Sequence, residues 1–190
     1  MMQELELFST PLTIIENFID KKTIKKILNK NIKMKEHPAI PHKGKSSFNI
    51  DDKVLKNEHN LKNKINKELK SMSKKMGLPD QKISNNWINV QQIDSTLLPH
   101  RHKSSYISGV LYLNIDPKTS GIIFHCPNPY IYMQPVKEYT KYNYETFVVY
   151  PVSGTLIMFP SWLSHSSEIN KTNNRCVLSF NTTNLNNGGR

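Results

Sequence analysis

The stretch Trp87-Ile88-Asn89-Val90-Gln91-Gln92-Ile93 marks a change of texture in this 190-residue chain. Apolar and polar side chains alternate along it, the period of two that belongs to a half-buried β-strand. Beyond it, Ser105 to Asn114, Ile122 to His125, Phe147 to Tyr150, Thr155 to Phe159 and Arg175 to Asn181 read as further short strands. Proline and glycine turns separate them, and no helical spacing intervenes. Many short strands with turn punctuation predict a β-barrel or sandwich.

Upstream the pattern is helical. Phe18, Ile19, Ile24, Ile27 and Leu28 recur at helical spacing between Glu16 and about Asn31, with lysines on the opposite face. Asp51-Asp52 is a candidate cap for a second helix from Lys53 to Met76. Its apolar stripe is Leu55, Leu61, Ile65, Leu69, Met72 and Met76, and Gly77 and Pro79 end it. Before the first helix, Leu5 to Phe8 and Leu12 to Ile15 read as short strands. Residues 35–50, with two prolines, a glycine and polar neighbours, read as a loop. His37 and His42 sit there and are expected to be solvated. The expectation is one domain over 1–190, with a helical part, 1–82, packed on a barrel core, 83–183.

The net charge is +11, yet 23 of the 26 basic residues are lysines, the arginines being Arg101, Arg175 and Arg190. Eighteen of the lysines lie in residues 1–82, interleaved with ten acids. That composition favours a solvated lysine surface over a specific nucleic-acid groove. Two cysteines, Cys126 and Cys176, make a disulfide framework unexpected. No apolar run approaches the roughly 20 residues of a membrane helix. The amino-terminus, Met1 to Glu6, lacks a signal-peptide pattern, so the expected compartment is the cytoplasm.

Chemistry concentrates in the strand-rich half. In Leu98-Pro99-His100-Arg101-His102 the two histidines are two residues apart, so on an extended strand they share a face and could bind one metal ion. His165, after the apolar run Leu156 to Phe159 and a second turn, is the best third ligand. Asp94 or Glu168 could supply a carboxylate ligand, and His125 and Cys126 could ligate as well. Arg175 opens the last apolar strand, where a guanidinium could grip a carboxylate through two parallel hydrogen bonds. Residues 127–150 hold six of the eight tyrosines. Tyr130, Tyr132, Tyr139, Tyr142 and Tyr144 are read either as a lid over a substrate or as a hairpin covering the barrel.

Taken together, these motifs resemble the 2-oxoglutarate- and iron(II)-dependent dioxygenases, in particular oxygenases of phages and bacteria. The resemblance rests on His100-x-His102, Ser108 to Leu113, Phe159-Pro160-Ser161-Trp162-Leu163-x-His165, and Arg175 with Ser179-Phe180-Asn181. Leu7 to Pro11 and Trp87-x-Asn89-Val90 add to it. It implies a mainly β, α+β fold, a double-stranded β-helix (a jelly roll) with flanking amino-terminal helices. It implies iron(II) held by His100, His102 and His165. It also implies 2-oxoglutarate held at its distal carboxylate by Arg175 and Tyr112, with Ser179 a further contact on the Arg175 face of its strand. The implied activity hydroxylates a substrate with O2 and 2-oxoglutarate; a protein side chain or small molecule is favoured over a nucleic acid, an oxygenase acting on nucleic acid is the alternative, and no membrane partner is expected. Phage relatives would place the protein in a host cytoplasm. One departure stands out. The family's facial triad is two histidines and a carboxylate, and here His102 occupies the acidic position. A cupin-like barrel that holds metal without turnover would show the same histidines; Arg175 is what separates the two readings.

Overall fold

In the computed structural model, described for residues 3, 7–116, 120–128, 130 and 135–184, the strand-rich half supplies both layers of a β-sandwich. Strands β4 (Gln81–Gln91), β5 (Ile107–Asn114), β8 (Leu156–Pro160) and β10 (Arg175–Asn184) make the centre of a seven-stranded sheet. Its order is β1-β8-β5-β10-β4-β3-β2, with β1 (Thr13–Ile15), β2 (Lys35–His37) and β3 (Ile40–Ser46) from the amino-terminal part. Strands β6 (Ile122–His125), β7 (Thr146–Val149) and β9 (His165–Ser167) form the opposing sheet in the order β7-β6-β9. Every strand pairing in the two sheets is antiparallel.

The central strands are apolar on both faces, and each face has its own core. Leu111 and Leu113 of β5, Leu156 and Met158 of β8, and Cys176 and Leu178 of β10 pack towards the helices. Their neighbours Val110, Tyr112, Ile157, Phe159 and Val177 pack into the space between the sheets with Ile122 and Phe124. The side-chain alternation of a strand thus divides one sequence between two cores. Helix α2 (His59–Lys75) covers the outer face with Leu61, Ile65, Leu69 and Met72, a single apolar stripe. Helix α1 (Lys21–Leu28) adds Ile24 and Ile27 to the same core.

Both helices begin later than the sequence pattern suggests, because their expected first turns have other partners. Asn17 is left-handed at φ 52°, and the amides of Phe18 and Ile19 donate to the Gly154 carbonyl at 2.9 and 3.3 Å. The helix then starts at Asp20, whose carboxylate caps the Thr23 amide at 2.8 Å. Asp51-Asp52 is not the cap of α2. The Asp52 carbonyl accepts from the Asn86 amide (2.8 Å), and the Asn86 side chain accepts from the Leu55 amide (2.7 Å). This holds residues 53–57 against β4, so Leu55 is buried without being helical. Glu58 precedes the first turn but caps nothing with its side chain, which pairs with Lys26 and Lys30 at 2.7 and 2.9 Å.

Residues 35–50, expected as a loop, contain the β2–β3 hairpin. No apolar alternation announces it, because its inner face lines a cavity rather than a packed core and its register is fixed by β4: Lys45 pairs with Val90 and Ser46 with Asn89. Gly44 is required there, since a Cβ would run into Ile40. Leu7 and Phe8, expected in a strand, lie in a turn with Phe8 at φ 60°, while residues 4–6 lie outside the described residues. The part expected to be helical, 1–82, therefore also contributes β1, β2 and β3. No helix among the described residues is long and apolar enough to cross a membrane.

Candidate metal centre and carboxylate clamp

Three histidines converge between the sheets. The His100 amide donates to the His165 carbonyl at 3.0 Å and the His165 amide to the His100 carbonyl at 3.1 Å, an isolated antiparallel bridge at the head of β9. The His102 amide donates to the Ser161 carbonyl at 3.0 Å. These bonds pin both segments of backbone, and the ligand atoms of His100, His102 and His165 lie within 4.8 Å of one another. Ring centroids are 4.2 Å apart for His100 and His165, 5.0 Å for His100 and His102, and 5.2 Å for His102 and His165.

Two of the three rings have their tautomer set by the backbone. His100 Nδ1 lies 2.9 Å from the Leu98 carbonyl and His165 Nδ1 lies 3.0 Å from the Leu163 carbonyl. A carbonyl can only accept, so each Nδ1 carries the proton and each Nε2 presents a lone pair. Burial favours the neutral form of all three rings: it lowers His100, brings His102 down to about 4 and brings His165 down to about 3. Neutral imidazoles are what a divalent metal takes. The donor set therefore fits a metal ion, with the carboxylate of the usual triad missing. The alternative ligands are engaged elsewhere. Glu168 accepts from the Gly121 amide (2.9 Å) and the Tyr150 hydroxyl (2.8 Å), Asp94 is exposed, and His125 bonds Ser166 Oγ through Nε2 at 2.9 Å. The Cys126 amide donates to the Glu145 carbonyl at 2.8 Å, and its thiol lies outside the triad.

Arg175 is the first residue of β10 and pairs in register with Gln91 of β4. Its guanidinium is buried, donates from Nη1 to Gln91 Oε1, and lies 5.5 Å from the centroid of the Tyr112 ring. Arg175 Nε has no partner. Burial raises the Tyr112 phenol to about 12, with the guanidinium pulling the other way, so it is a hydroxyl donor at neutral pH. The Gln91 amide is oriented by chemistry, since Arg can only donate. Its oxygen faces Arg175 and its nitrogen donates to Ser167 Oγ at 3.1 Å. Ser167 Oγ also accepts from the Leu97 amide at 2.9 Å, which ties the arginine to the strand carrying His165 and the segment leading to His100.

One cavity of about 230 Å³ joins these groups: it is lined by the three histidines, Arg175, Tyr112 and Ser179. Ser179 Oγ stands 3.5 Å from Asn89 Nδ2. Among the described residues, no aspartate, glutamate or lysine lines the cavity. The tyrosine-rich segment is placed elsewhere. Tyr130, Tyr139, Tyr142 and Tyr144 are exposed, Tyr139 stacks on Tyr144, and none of the four lines the cavity; Tyr132 lies outside the described residues. Sequence reasoning did not single out Gln91, Arg101 or Phe48, all of which line it, and His37, expected to be solvated, is half-buried on the same lining with its ring 6.2 Å from that of Phe48. For Gln91 a signal exists: Trp87, Asn89 and Gln91 fall on one face of an alternating strand.

A sandwich with a histidine triad and a buried arginine on one internal cavity is the architecture of a double-stranded β-helix oxygenase. The sequence profile of the family described as "Putative 2OG-Fe(II) oxygenase" matches residues 85–181, which include all three histidines and Arg175. The chain belongs to that family of oxidoreductases. Among solved structures it is similar to HygX of Streptomyces hygroscopicus with nickel and 2-oxoglutarate bound (TM-score 0.65, 10% identity, covering 93% of this chain and 84% of HygX). It is also similar to a 2OG-Fe(II) oxygenase family oxidoreductase of Burkholderia pseudomallei (TM-score 0.68, 14% identity, 94% and 88%). A third likeness is the viral collagen prolyl hydroxylase of Paramecium Bursaria Chlorella virus-1 (TM-score 0.58, 11% identity, 92% and 96%). At these identities the likeness shows the fold. No curated protein matches the sequence.

Proposed function

We propose that the oxygenase reaction runs at the cavity between the sheets, with His100, His102 and His165 holding iron(II) and Arg175 and Tyr112 holding the distal carboxylate of 2-oxoglutarate. When bound, iron and 2-oxoglutarate supply the oxidising chemistry, in which O2 converts 2-oxoglutarate to succinate and CO2 and hydroxylates a substrate C–H bond. The observation that carries the reading is Arg175. A buried guanidinium with one N–H unpartnered, no carboxylate among the described residues of the cavity that holds the histidines and a phenol beside it is a costly arrangement without an anion. An anionic co-substrate is the occupant that resolves it. Ser179 is a secondary contact from the same strand.

The residues of the chain have distinct tasks. The backbone bridge between His100 and His165 orients two ligands before metal arrives. Val110, Ile122, Phe159 and Val177 give the cavity dry walls, which exclude water from the reacting centre. The substrate is read as a protein side chain or a small molecule. Structural likeness reaches both a prolyl hydroxylase and HygX with hygromycin B bound, and no lysine-lined channel reaches the histidines. Residues 1–190 are read as one folding unit, with 1–82 wrapped on the barrel of 83–183.

The test is anaerobic titration of the iron(II)-loaded protein with 2-oxoglutarate, followed by exposure to O2 and measurement of succinate. Saturable 2-oxoglutarate binding and succinate formation are expected. A protein that binds metal but neither binds 2-oxoglutarate nor forms succinate would be a metal-holding barrel instead.

A further inference from the structure

The two arginines among the described residues, Arg101 and Arg175, line the same cavity, in a chain that uses lysine for 23 of its 26 basic positions. Composition here favours lysine wherever a solvated positive charge suffices. A guanidinium differs from an ammonium in offering a planar fork matched to a carboxylate or phosphate. Arg175 uses that fork at the buried end of the cavity. Arg101 stands between two candidate metal ligands at the open end, is exposed, and makes no salt bridge among the described residues.

Another part of the same lining is aromatic and leads to the histidines. Phe48 packs edge-on against Trp87 with centroids 4.8 Å apart, and Trp87 lies 6.0 Å from the His102 ring. A cationic substrate would find no counter-charge, because the cavity lining contains no carboxylate. The overall charge of +11 points the same way, since a positive field draws anions towards the mouth.

We propose that Arg101 receives an anionic group of the substrate, a carboxylate or a phosphate, while Phe48 and Trp87 hold an apolar or planar part of the same molecule beside the metal centre. This rests on the oxygenase reading, in which Arg175 is already committed to 2-oxoglutarate. Arg101 is then a specificity-determining residue with a second, separate anion.

The full chain, loaded with nickel(II) and saturating 2-oxoglutarate without O2, is titrated with three probes: 4-phenylbutyrate, phenyl phosphate and the neutral 4-phenylbutanamide. Ligand-observed NMR or calorimetry gives the affinities. At least one anion is expected to bind roughly tenfold more tightly than the amide, the scale of a charge-assisted contact near a surface. Arg101→Ala should bring that anion to the level of the amide, and Arg101→Lys should restore part of the preference. Phe48→Ala should weaken all three probes alike. Whether the carboxylate or the phosphate ranks first identifies the source of the charge. The 2-oxoglutarate affinity of each variant reports that its site is still folded. Equal binding of anions and amide, an anion preference that survives Arg101→Ala, or no binding of either anion would each overturn the proposal. If the native chain fails to bind 2-oxoglutarate, the oxygenase reading falls first, and the anion preference is read separately on the nickel form.

Discussion

Replacing Gln91 by glutamate tests whether the Arg175 guanidinium is reserved for an external carboxylate. In the native protein Gln91 Oε1 accepts from Nη1 and leaves the charge unpaired, and Nε has no partner at all. Gln91→Glu is nearly isosteric and places an internal carboxylate on the same nitrogen. A ligand carboxylate on the other edge of the guanidinium would then lie roughly 6 Å from it. At an effective dielectric of about 20 that repulsion is about 2.8 kcal/mol, a loss of roughly a hundredfold in affinity. The fold should not suffer, because the buried guanidinium gains a counter-ion. Gln91→Leu gives the contrasting pattern. It leaves Nη1 unsatisfied and should cost about 1–3 kcal/mol of stability, with a smaller loss of ligand affinity. The assay is anaerobic 2-oxoglutarate titration of the metal-loaded protein, paired with a thermal melt. A Gln91→Glu protein that binds 2-oxoglutarate as tightly as the native one, or better than Gln91→Leu does, would refute the reasoning.

Three other outcomes follow from the same geometry. Arg175→Ala should abolish succinate production while metal still binds, and Arg175→Lys, which keeps the charge but loses the fork, should weaken 2-oxoglutarate more than metal; metal and 2-oxoglutarate titrations separate the two losses. His102→Asp restores the carboxylate of the usual facial triad and should raise the affinity for iron(II) relative to zinc(II) by about tenfold, read in a metal competition. Gly109→Ala should lower stability by about 1–3 kcal/mol, because a Cβ there would meet the Phe180 ring; a melting temperature equal to that of the native protein would contradict the packing described.

The strand-rich half was legible because its two physical signals are local. Apolar runs between turn residues placed β5, β8 and β10 within three residues of their ends, whereas β4, read from Trp87, begins six residues earlier at Gln81; the two-residue spacing of His100 and His102 implied a shared face. The amino-terminal part was harder because its structure is set at long range. Residues 16–19 have helical periodicity, yet the amides of Phe18 and Ile19 are claimed by the Gly154 carbonyl, 135 residues or more away along the chain. The β2–β3 hairpin lacks an apolar face because it lines a cavity rather than a core. The same holds within the site. Arg175 was visible as an arginine opening an apolar strand, whereas Gln91 acquires its role only from the antiparallel register that sets it opposite Arg175. For the tyrosine cluster, composition left a lid and a covering hairpin equally open; at the surface Tyr139 stacks on Tyr144 and Tyr144 packs against Phe147, and local sequence carries no signal for such contacts.

The histidine at the usual carboxylate position and the acid-free cavity belong to one electrostatic pattern. With three neutral imidazoles as its ligands, a bound metal would receive no negative charge from the protein. On the proposed reading a divalent ion and Arg175 would together bring three positive charges to the cavity, and 2-oxoglutarate two negative ones. One positive charge would be left where an aspartate ligand would leave none. Arg101 would add another at the mouth, and no aspartate or glutamate among the described lining residues offsets either. Such a site favours a substrate that carries negative charge itself and disfavours an amine, through the same long-range field that the lysine surface extends outwards. His102→Asp therefore has a second expected effect, distinct from its effect on the metal. It should reduce the preference for anionic over neutral probes while leaving Arg101 in place. If the preference is carried by the Arg101 fork alone, His102→Asp will leave it unchanged, and the contribution of the missing carboxylate to substrate choice is refuted.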